Sequence, residues 1–231
     1  MTKIHGKHTR VYMDGYDISG DFNSFEPSLT GDVVDVSGFG ASTKSYAVGL
    51  QDTSIRVAGL FNDAANRVHA VVQSKVGTQV MLNATWGTDA GRAGCGGTVN
   101  VSEYNVASGI GGPVSTNIAL SGGGGEGVFE YVRTLWGYAP FQAAPTGFDT
   151  GETPTNAGFS AHLQLIGGAG TVIIQSSTAA AGPTWTDRIN FGSHSAPWAG
   201  YRGTYTGTAP QYLRAAFTGV AGTGWVGYKR F

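Results

Sequence analysis

Residues 10–19 read RVYMDGYDIS, and this stretch decides how the chain begins to fold. Two runs of strand-forming residues flank the pair Asp14-Gly15. A two-residue turn of this type needs positive φ at both central positions, which Asp and Gly tolerate better than most residues. The segment therefore predicts a tight β-hairpin close to the start of the chain.

The β pattern continues after the hairpin, because apolar and polar residues alternate in several short runs. Strands are predicted at residues 33–36, 45–48, 52–60, 80–86, 98–104 and 114–121. The wider stretch 37–49 is too polar and too often interrupted by glycine to form part of a core, and residues 89–97 are predicted to be a glycine loop.

One segment has the periodicity of a helix. Its apolar residues lie three and four positions apart: Phe61, Ala64, Ala65, Val68, Val71, Val72 and Val76. Asn62 or Asp63 is suited to the N-cap, and Gly77 follows the last apolar position. The pattern predicts a single helix over about residues 62–76, with its apolar stripe against a sheet.

The composition changes near the middle of the chain, where residues 137–158 are rich in Pro, Thr, Ala and Gly. This segment is predicted to be a linker. Short strands follow at residues 162–166, 171–175, 185–191, 201–205, 212–217 and 225–231, with the spacing of a β-sandwich. The predicted fold is mainly β, with a one-helix domain at 1–136 and a smaller all-β sandwich at 159–231.

Glycine accounts for 38 of 231 residues and charged residues for 13%, so the chain is rich in turns and poor in charge. Its 14 basic and 15 acidic side chains nearly cancel, which excludes the strongly basic surface of a protein whose main partner is nucleic acid. The weak self-repulsion suits a subunit that packs against copies of itself. We expect no membrane association, because no apolar run approaches ~18 residues and residues 1–11 lack the pattern of a signal peptide.

No metal site is expected from the spacing of candidate ligands. His5 and His8 have no cysteine or carboxylate beside them at ligand spacing. Asp14, Asp17 and Asp21 do not follow the alternation of a calcium loop, and the turn already accounts for Asp14.

No catalytic or cofactor site is expected either. Cys95 is the single cysteine and lies in the glycine loop, where a spare thiol is the simplest interpretation. The glycine runs at residues 109–112 and 122–125 lack the lysine and hydroxyl residue of a phosphate loop. We therefore expect a protein that is not an enzyme and that binds no cofactor.

Five passages resemble the opening part of bacteriophage major tail proteins, which form the tail tube. They read IHGK at 4–7, VYMDGYDIS at 11–19, DVSGFG at 35–40, KSYAVGL at 44–50 and VAGLFND at 57–63. Each motif is short, and their order along about the first 135 residues matters more than any one of them.

This resemblance implies a small twisted β-barrel or sandwich with one flanking helix, made in the host cytoplasm and assembled in the virion. Its partners would be copies of itself, in stacked hexameric rings around a channel through which DNA passes passively, and other virion proteins. Residues 37–49 would then form the contact between subunits, with Phe39, Lys44 and Tyr46 buried in the adjacent subunit. The alternative interpretation of this stretch is a mobile surface loop.

The last part of the chain, around PQYLRAAF at 210–217, resembles the immunoglobulin-like or galactose-binding-like sandwiches that decorate phage particles. Trp185, Trp198 and Trp225 are candidates for a sugar-stacking platform or for an interface, since aromatic faces suit both. Three functional hypotheses follow from the two resemblances: a tail tube subunit, a capsid decoration or minor capsid protein of the phage head, and a glycan-binding adhesion module.

Overall fold

The computed structural model of the chain describes residues 6–39, 42–87, 89–123, 129–140, 148–149, 159–177, 184–205 and 212–230. These residues form thirteen strands: β1 Thr9–Met13, β2 Tyr16–Asp17, β3 Phe22–Asp35, β4 Tyr46–Leu60, β5 Gln79–Trp86, β6 Ala93–Ala107, β7 Ser115–Gly122, β8 Glu130–Pro140, β9 Phe148–Asp149, β10 Phe159–Ser177, β11 Thr186–Ser195, β12 Trp198–Tyr205 and β13 Tyr212–Arg230. The helix α1 spans Val68–Val72, and short 3-10 turns lie at Gly6–His8, Ser19–Asp21 and Gln73–Lys75. The mainly β fold class is confirmed.

The opening hairpin is confirmed in detail. Strands β1 and β2 pair antiparallel, with Tyr12 opposite Asp17 and Met13 opposite Tyr16. Asp14 has φ 47° and Gly15 has φ 83°, so both turn residues occupy the left-handed region that this turn requires.

The first half of the chain is a curled antiparallel sheet in the order β2-β1-β5-β6-β7-β4-β3. Alternate residues of these strands point inward, as the two-residue period of a strand requires. Their core side chains include Val11, Ile55, Leu82, Val99 and Ile118, all buried. Helix α1 covers this core with Val68, Val71 and Val72.

The helix is shorter than the sequence predicted, because α1 and the following 3-10 turn occupy only residues 68–75 of the predicted 62–76. Asn66 has φ 64° and Arg67 is extended, so the backbone before Val68 cannot be helical. The predicted cap at Asn62 or Asp63 is therefore wrong. The N–H of Val68 instead donates to the carboxylate of Asp21 at 3.2 Å, and Asn62 donates to the same carboxylate at 2.7 Å.

Both predicted loops in the first half are partly strand. Strand β4 begins at Tyr46, inside the stretch 37–49, and β6 begins at Ala93, inside the stretch 89–97.

The described residues of the second half are all β, built around the long pair β10 and β13. Strands β11 and β12 pair with the two ends of β10 on its other side. A second core lies here, with Phe159, Leu163, Ile174, Phe191 and Leu213 among its buried side chains.

The two halves are joined by a continuous hydrogen-bonded sheet, because β8 pairs with both β6 and β13. Residues 137–140 of the predicted linker belong to β8. The rest of the predicted linker lies outside the described residues, apart from Phe148 and Asp149 in β9. The division of the chain at this segment and the separate sandwich stay predictions.

Candidate interaction surface

The β3–β4 hairpin extends beyond the core of the first half. Toward the base of the hairpin, Thr53, Ile55 and Val57 of β4 alternate inward and are buried. From residue 52 back to residue 42, and from residue 30 to residue 39, every described residue is exposed. We refer to residues 31–39 and 42–51, the part of the hairpin past the core, as the arm.

The arm has many large apolar side chains that no described part of the chain covers. They are Val33, Val34, Val36, Phe39, Tyr46, Val48 and Leu50, with exposed fractions from 55% to 113%. Surface hydrophobic residues that occur singly are ordinary, but a contiguous set of this size is typical of an interaction site.

Both faces of the arm are apolar. Val33 lies opposite Val48 on one face, and the next pair, Val34 with Ala47, lies on the other. A two-stranded ribbon that packs against nothing is marginally stable in water. This ribbon therefore gains stability when another surface covers it.

The structure places all three predicted contact residues on the arm. Phe39 is fully exposed in the turn, and Tyr46 opens β4 opposite Asp35. The ammonium of Lys44 lies 3.6 Å from the carboxylate of Asp35, and both side chains are exposed, so this ion pair contributes little stability. Hydrogen bonds from the hydroxyl and backbone N–H of Ser37 lower the pKa of Asp35. Burial of these residues in an adjacent subunit stays a prediction.

Four further exposed residues of the arm were not singled out from the sequence: Val33, Val34, Val48 and Leu50. The predicted strands at 33–36 and 45–48 contained three of them. The signal that was available is the run of apolar residues on both faces of strands that flank a turn, a pattern ordinarily found in strands covered on both sides.

A second surface lies on the outward side of β3, β4, β7 and β6 and is polar. Its middle row runs across the four strands through Glu26, Arg56, Ala119 and Glu103, each opposite the next. The full set that we call the polar face is Ser24, Glu26, Arg56, Glu103, Asn105 and Asn117, which line a shallow depression of about 340 Å³. With two carboxylates and one guanidinium, this face has a small excess of negative charge.

The three tryptophans do not form one exposed platform. Trp225 is fully buried between the two halves, where its indole N–H donates to Thr134 at 3.4 Å, so its proposed role in contacting a glycan is wrong. The Trp198 ring stacks on His194 with centroids 3.8 Å apart, and the guanidinium of Arg214 lies 4.1 Å from the centroid of Trp185. Other side chains therefore already occupy one face of each of the half-buried rings.

The aspartates that were considered for calcium have structural partners. Asp14 pairs with Lys75 at 2.8 Å and accepts from the N–H of Met81, Asp17 accepts from Ser19, and Asp21 caps α1 as described above. His5 lies outside the described residues. Among the residues that the structure describes, no group of three His, Cys, Asp or Glu side chains could hold a metal ion.

Cys95 lies in β6 and is fully buried in the first core. Burial raises the pKa of its thiol, partly offset by a backbone hydrogen bond at Ala84, so the reactive thiolate is disfavoured. No helix in the described part of the chain is long and apolar enough to cross a membrane.

No family model matches this sequence, and no curated protein matches it. Solved structures with a similar fold include a chain of the virion of a native gene transfer agent particle, at 18% identity and TM-score 0.44, covering 55% of this chain and 99% of that one. Another is the SPP1 tail tube, at 11% identity and TM-score 0.45, covering 58% and 80%. A third is the SPP1 Dit protein, from the hub of a phage adsorption apparatus, at 8% identity and TM-score 0.36, covering 96% and 99%. Since these identities are 18% or lower and the TM-scores lie below 0.5, no functional conclusion follows from the three likenesses.

Proposed function

We propose that this chain is a structural subunit of a bacteriophage virion, and specifically the subunit of the tail tube. The sequence motifs that resemble those of major tail proteins support this family. The observation that carries the proposal is the arm, a two-stranded ribbon with exposed apolar side chains on both faces.

The apolar area on the arm supports assembly with copies of the same chain. Complete burial of a Val, Leu or Phe side chain contributes about 1.5–3 kcal/mol. Six such side chains, together with Tyr46, are exposed on the arm. Even after the entropy cost of association, burying several of them supplies enough free energy for a stable contact between subunits.

The arm also differs from the surface of a freely diffusing enzyme, because it projects from the core in one fixed direction. Its strands are continuous with β3 and β4 of the core, so the core fixes the direction in which it points. A projecting element with fixed direction suits a repeated contact between identical subunits, since each copy meets its neighbour in the same geometry.

The polar face is suited to line the channel of the tube. It carries Glu26 and Glu103 against the single guanidinium of Arg56. DNA binds proteins mainly where Lys and Arg neutralise its phosphates, and each such contact strengthens binding. A surface with a small negative excess therefore lets DNA pass without holding it.

The experiment is an assembly assay on the purified full-length chain. Negative-stain microscopy and sedimentation velocity of the unaltered protein at high concentration should show rings or tubes. The double variant Val48→Ser, Leu50→Ser should remain monomeric, because both side chains are exposed in the single chain and their loss removes apolar area from the contact alone.

The matched control is Ile110→Ser, which removes a fully exposed apolar side chain from the β6–β7 turn. It should assemble as the unaltered chain does. A protein that stays monomeric at every concentration, or an arm variant that assembles normally, would overturn the proposal. Mass spectrometry of separated tails and heads distinguishes the tube from the capsid, because a tube subunit must be abundant in tails.

A further inference from the structure

We propose that the arm of one copy docks into a groove between β1 and β3 of the next copy. This inference rests on the proposed self-assembly and adds the surface that receives the arm. Four properties of the groove support this contact: its lining, its unpaired strand edge, its charge and its position relative to the arm of the same chain.

The groove has a volume of about 420 Å³ and an apolar floor formed by Val11, Phe22, Phe25 and Trp86. Val11 is buried in the first core, and the three aromatic residues pack against that core while remaining partly exposed. Thr9, Ser19, Asn23 and Ser24 add polar groups to the lining. An apolar floor with polar groups around it is the usual composition of a protein contact site.

The groove exists because the curled sheet does not close. Strand β1 pairs with β5 and β2, and β3 pairs with β4, but β1 and β3 do not pair with each other in the described part of the chain. At one end of the gap, Ser19 in the 3-10 turn before β3 contacts β1, where its hydroxyl oxygen accepts from the N–H of Val11 at 2.8 Å. Elsewhere the second edge of β3 has no strand partner among the described residues, so its backbone groups are available to a neighbouring chain.

The charges of the two surfaces are complementary. Lys7 is the one ionisable residue among those described as lining the groove. The arm carries Asp32, Asp35 and Lys44, which leaves it with an excess of one negative charge. Both surfaces are otherwise apolar or uncharged, so the pairing places opposite charges at the edge of a hydrophobic contact.

The occupant must come from a second copy. The groove lies beside Phe22 and Phe25 at the start of β3, and the arm lies at the far end of the same strand. A strand rises ~3.3 Å per residue, so Phe25 and Val34 are separated by roughly 30 Å along β3. Because the strand is continuous, the arm leads away from the groove of its own chain. The contact therefore joins two different surfaces of two copies, and repeated head-to-tail it generates rings when its rotation closes.

Disulfide crosslinking in the full-length chain tests this contact. The double variant Val48→Cys, Asn23→Cys places one thiol on the arm and one at the groove, and both positions are exposed in the single chain. The native Cys95 is fully buried, so it adds no background of crosslinks. Oxidation of assembled particles should give a ladder of covalent oligomers on non-reducing gels. A mixture of the two single-cysteine variants should stop at covalent dimers.

The matched control is Val48→Cys with Asn117→Cys, which moves the second thiol to the polar face. We expect at least a tenfold lower yield of covalent oligomers from it. Normal assembly without crosslinks between residues 48 and 23, or with crosslinks within one chain, would overturn the docking site and leave the proposed function standing. Absence of any assembly by the unaltered chain would overturn both.

Discussion

The side-chain amide of Gln164 donates a hydrogen bond to the backbone carbonyl of Tyr12 at 3.0 Å, although 152 positions separate these residues in the sequence. Its carbonyl oxygen accepts from the N–H of Gly15 at 2.6 Å, and its amide also donates to the carbonyl of Met81 at 3.2 Å. Gln164 is fully buried, so one side chain from the second half satisfies backbone groups of the first half where water cannot. The two halves are thereby fixed to each other at the opening hairpin.

Replacing Gln164 with Leu should destabilise the protein by about 2–4 kcal/mol, because the buried N–H of Gly15 loses its partner while the side-chain volume is nearly kept. Urea unfolding followed by tryptophan fluorescence measures the change. The control Gln73→Leu, at an exposed position, should alter the free energy of unfolding by less than about 0.5 kcal/mol. Equal effects of the two substitutions would contradict the bridging role of Gln164.

Gly59 should not tolerate alanine. A Cβ at this position of β4 would collide with the backbone carbonyl of Asp21 and with Phe22, and the strand pairing prevents either from moving away. We expect Gly59→Ala to lower the free energy of unfolding by about 3 kcal/mol. Gly31→Ala is the control, since a Cβ there has nothing within 4 Å and should be neutral or stabilising by about 0.5 kcal/mol. The midpoint temperature of unfolding should therefore fall clearly for Gly59→Ala and stay unchanged or rise slightly for Gly31→Ala.

Glu130 should contribute a pH-dependent part of the stability. Burial raises the pKa of its carboxyl, but hydrogen bonds from His162, Lys229 and Ser160 lower it by more. The resulting pKa is about 2. Because this pKa lies below its ordinary value of 4.5, the carboxylate stabilises the folded chain above about pH 4.5, and that contribution is lost as the pH falls toward 2.

The measurement is the free energy of unfolding at pH 6 and at pH 3 for the unaltered chain and for Glu130→Gln. The loss of stability between the two pH values should be smaller in the variant. Glu103→Gln, at an exposed position, serves as the control and should retain most of the loss. An undiminished pH dependence in Glu130→Gln would show that another group is responsible.

Cys95 should be unreactive in the folded protein. Its thiol is fully buried and its pKa is raised, so neither access nor ionisation favours attack on a thiol reagent. Treatment with an aromatic disulfide reagent at pH 8 should label less than a tenth of the protein in an hour, and urea should make labelling complete. Rapid stoichiometric labelling without denaturant would show that the first core opens readily.

Local sequence signals predicted the parts of the fold that are determined locally. The Asp14-Gly15 turn is one, because two adjacent residues decide its backbone conformation. The helix is a counterexample, since Phe61, Ala64 and Ala65 fit a helical period while Asn66 adopts φ 64°. Its true start is set by Asp21, which lies 47 positions before Val68 and which no window around the helix contains.

The exposed arm was predicted in part. Motifs singled out Phe39, Lys44 and Tyr46, whose burial in an adjacent subunit stays a prediction, and the structure adds the exposed valines and Leu50 beside them. Sequence patterns show that a strand is apolar on both faces, but they do not show whether anything covers it. That information comes only from the arrangement of the other strands, as does the burial of Trp225 between the halves.

The length of the hairpin formed by β3 and β4 can change without exchanging its two sides only by an even number of residues in each strand. Alternate residues of a strand point to opposite sides, so inserting or deleting one residue in each strand would exchange the sides that Val33 and Val34 face. Inserting or deleting two residues in each strand keeps every side chain on its side of the hairpin and changes the hairpin length by about 7 Å. Viable relatives of this protein should therefore differ in hairpin length by even numbers of residues per strand, and under the proposed assembly the spacing between neighbouring copies should change in discrete steps.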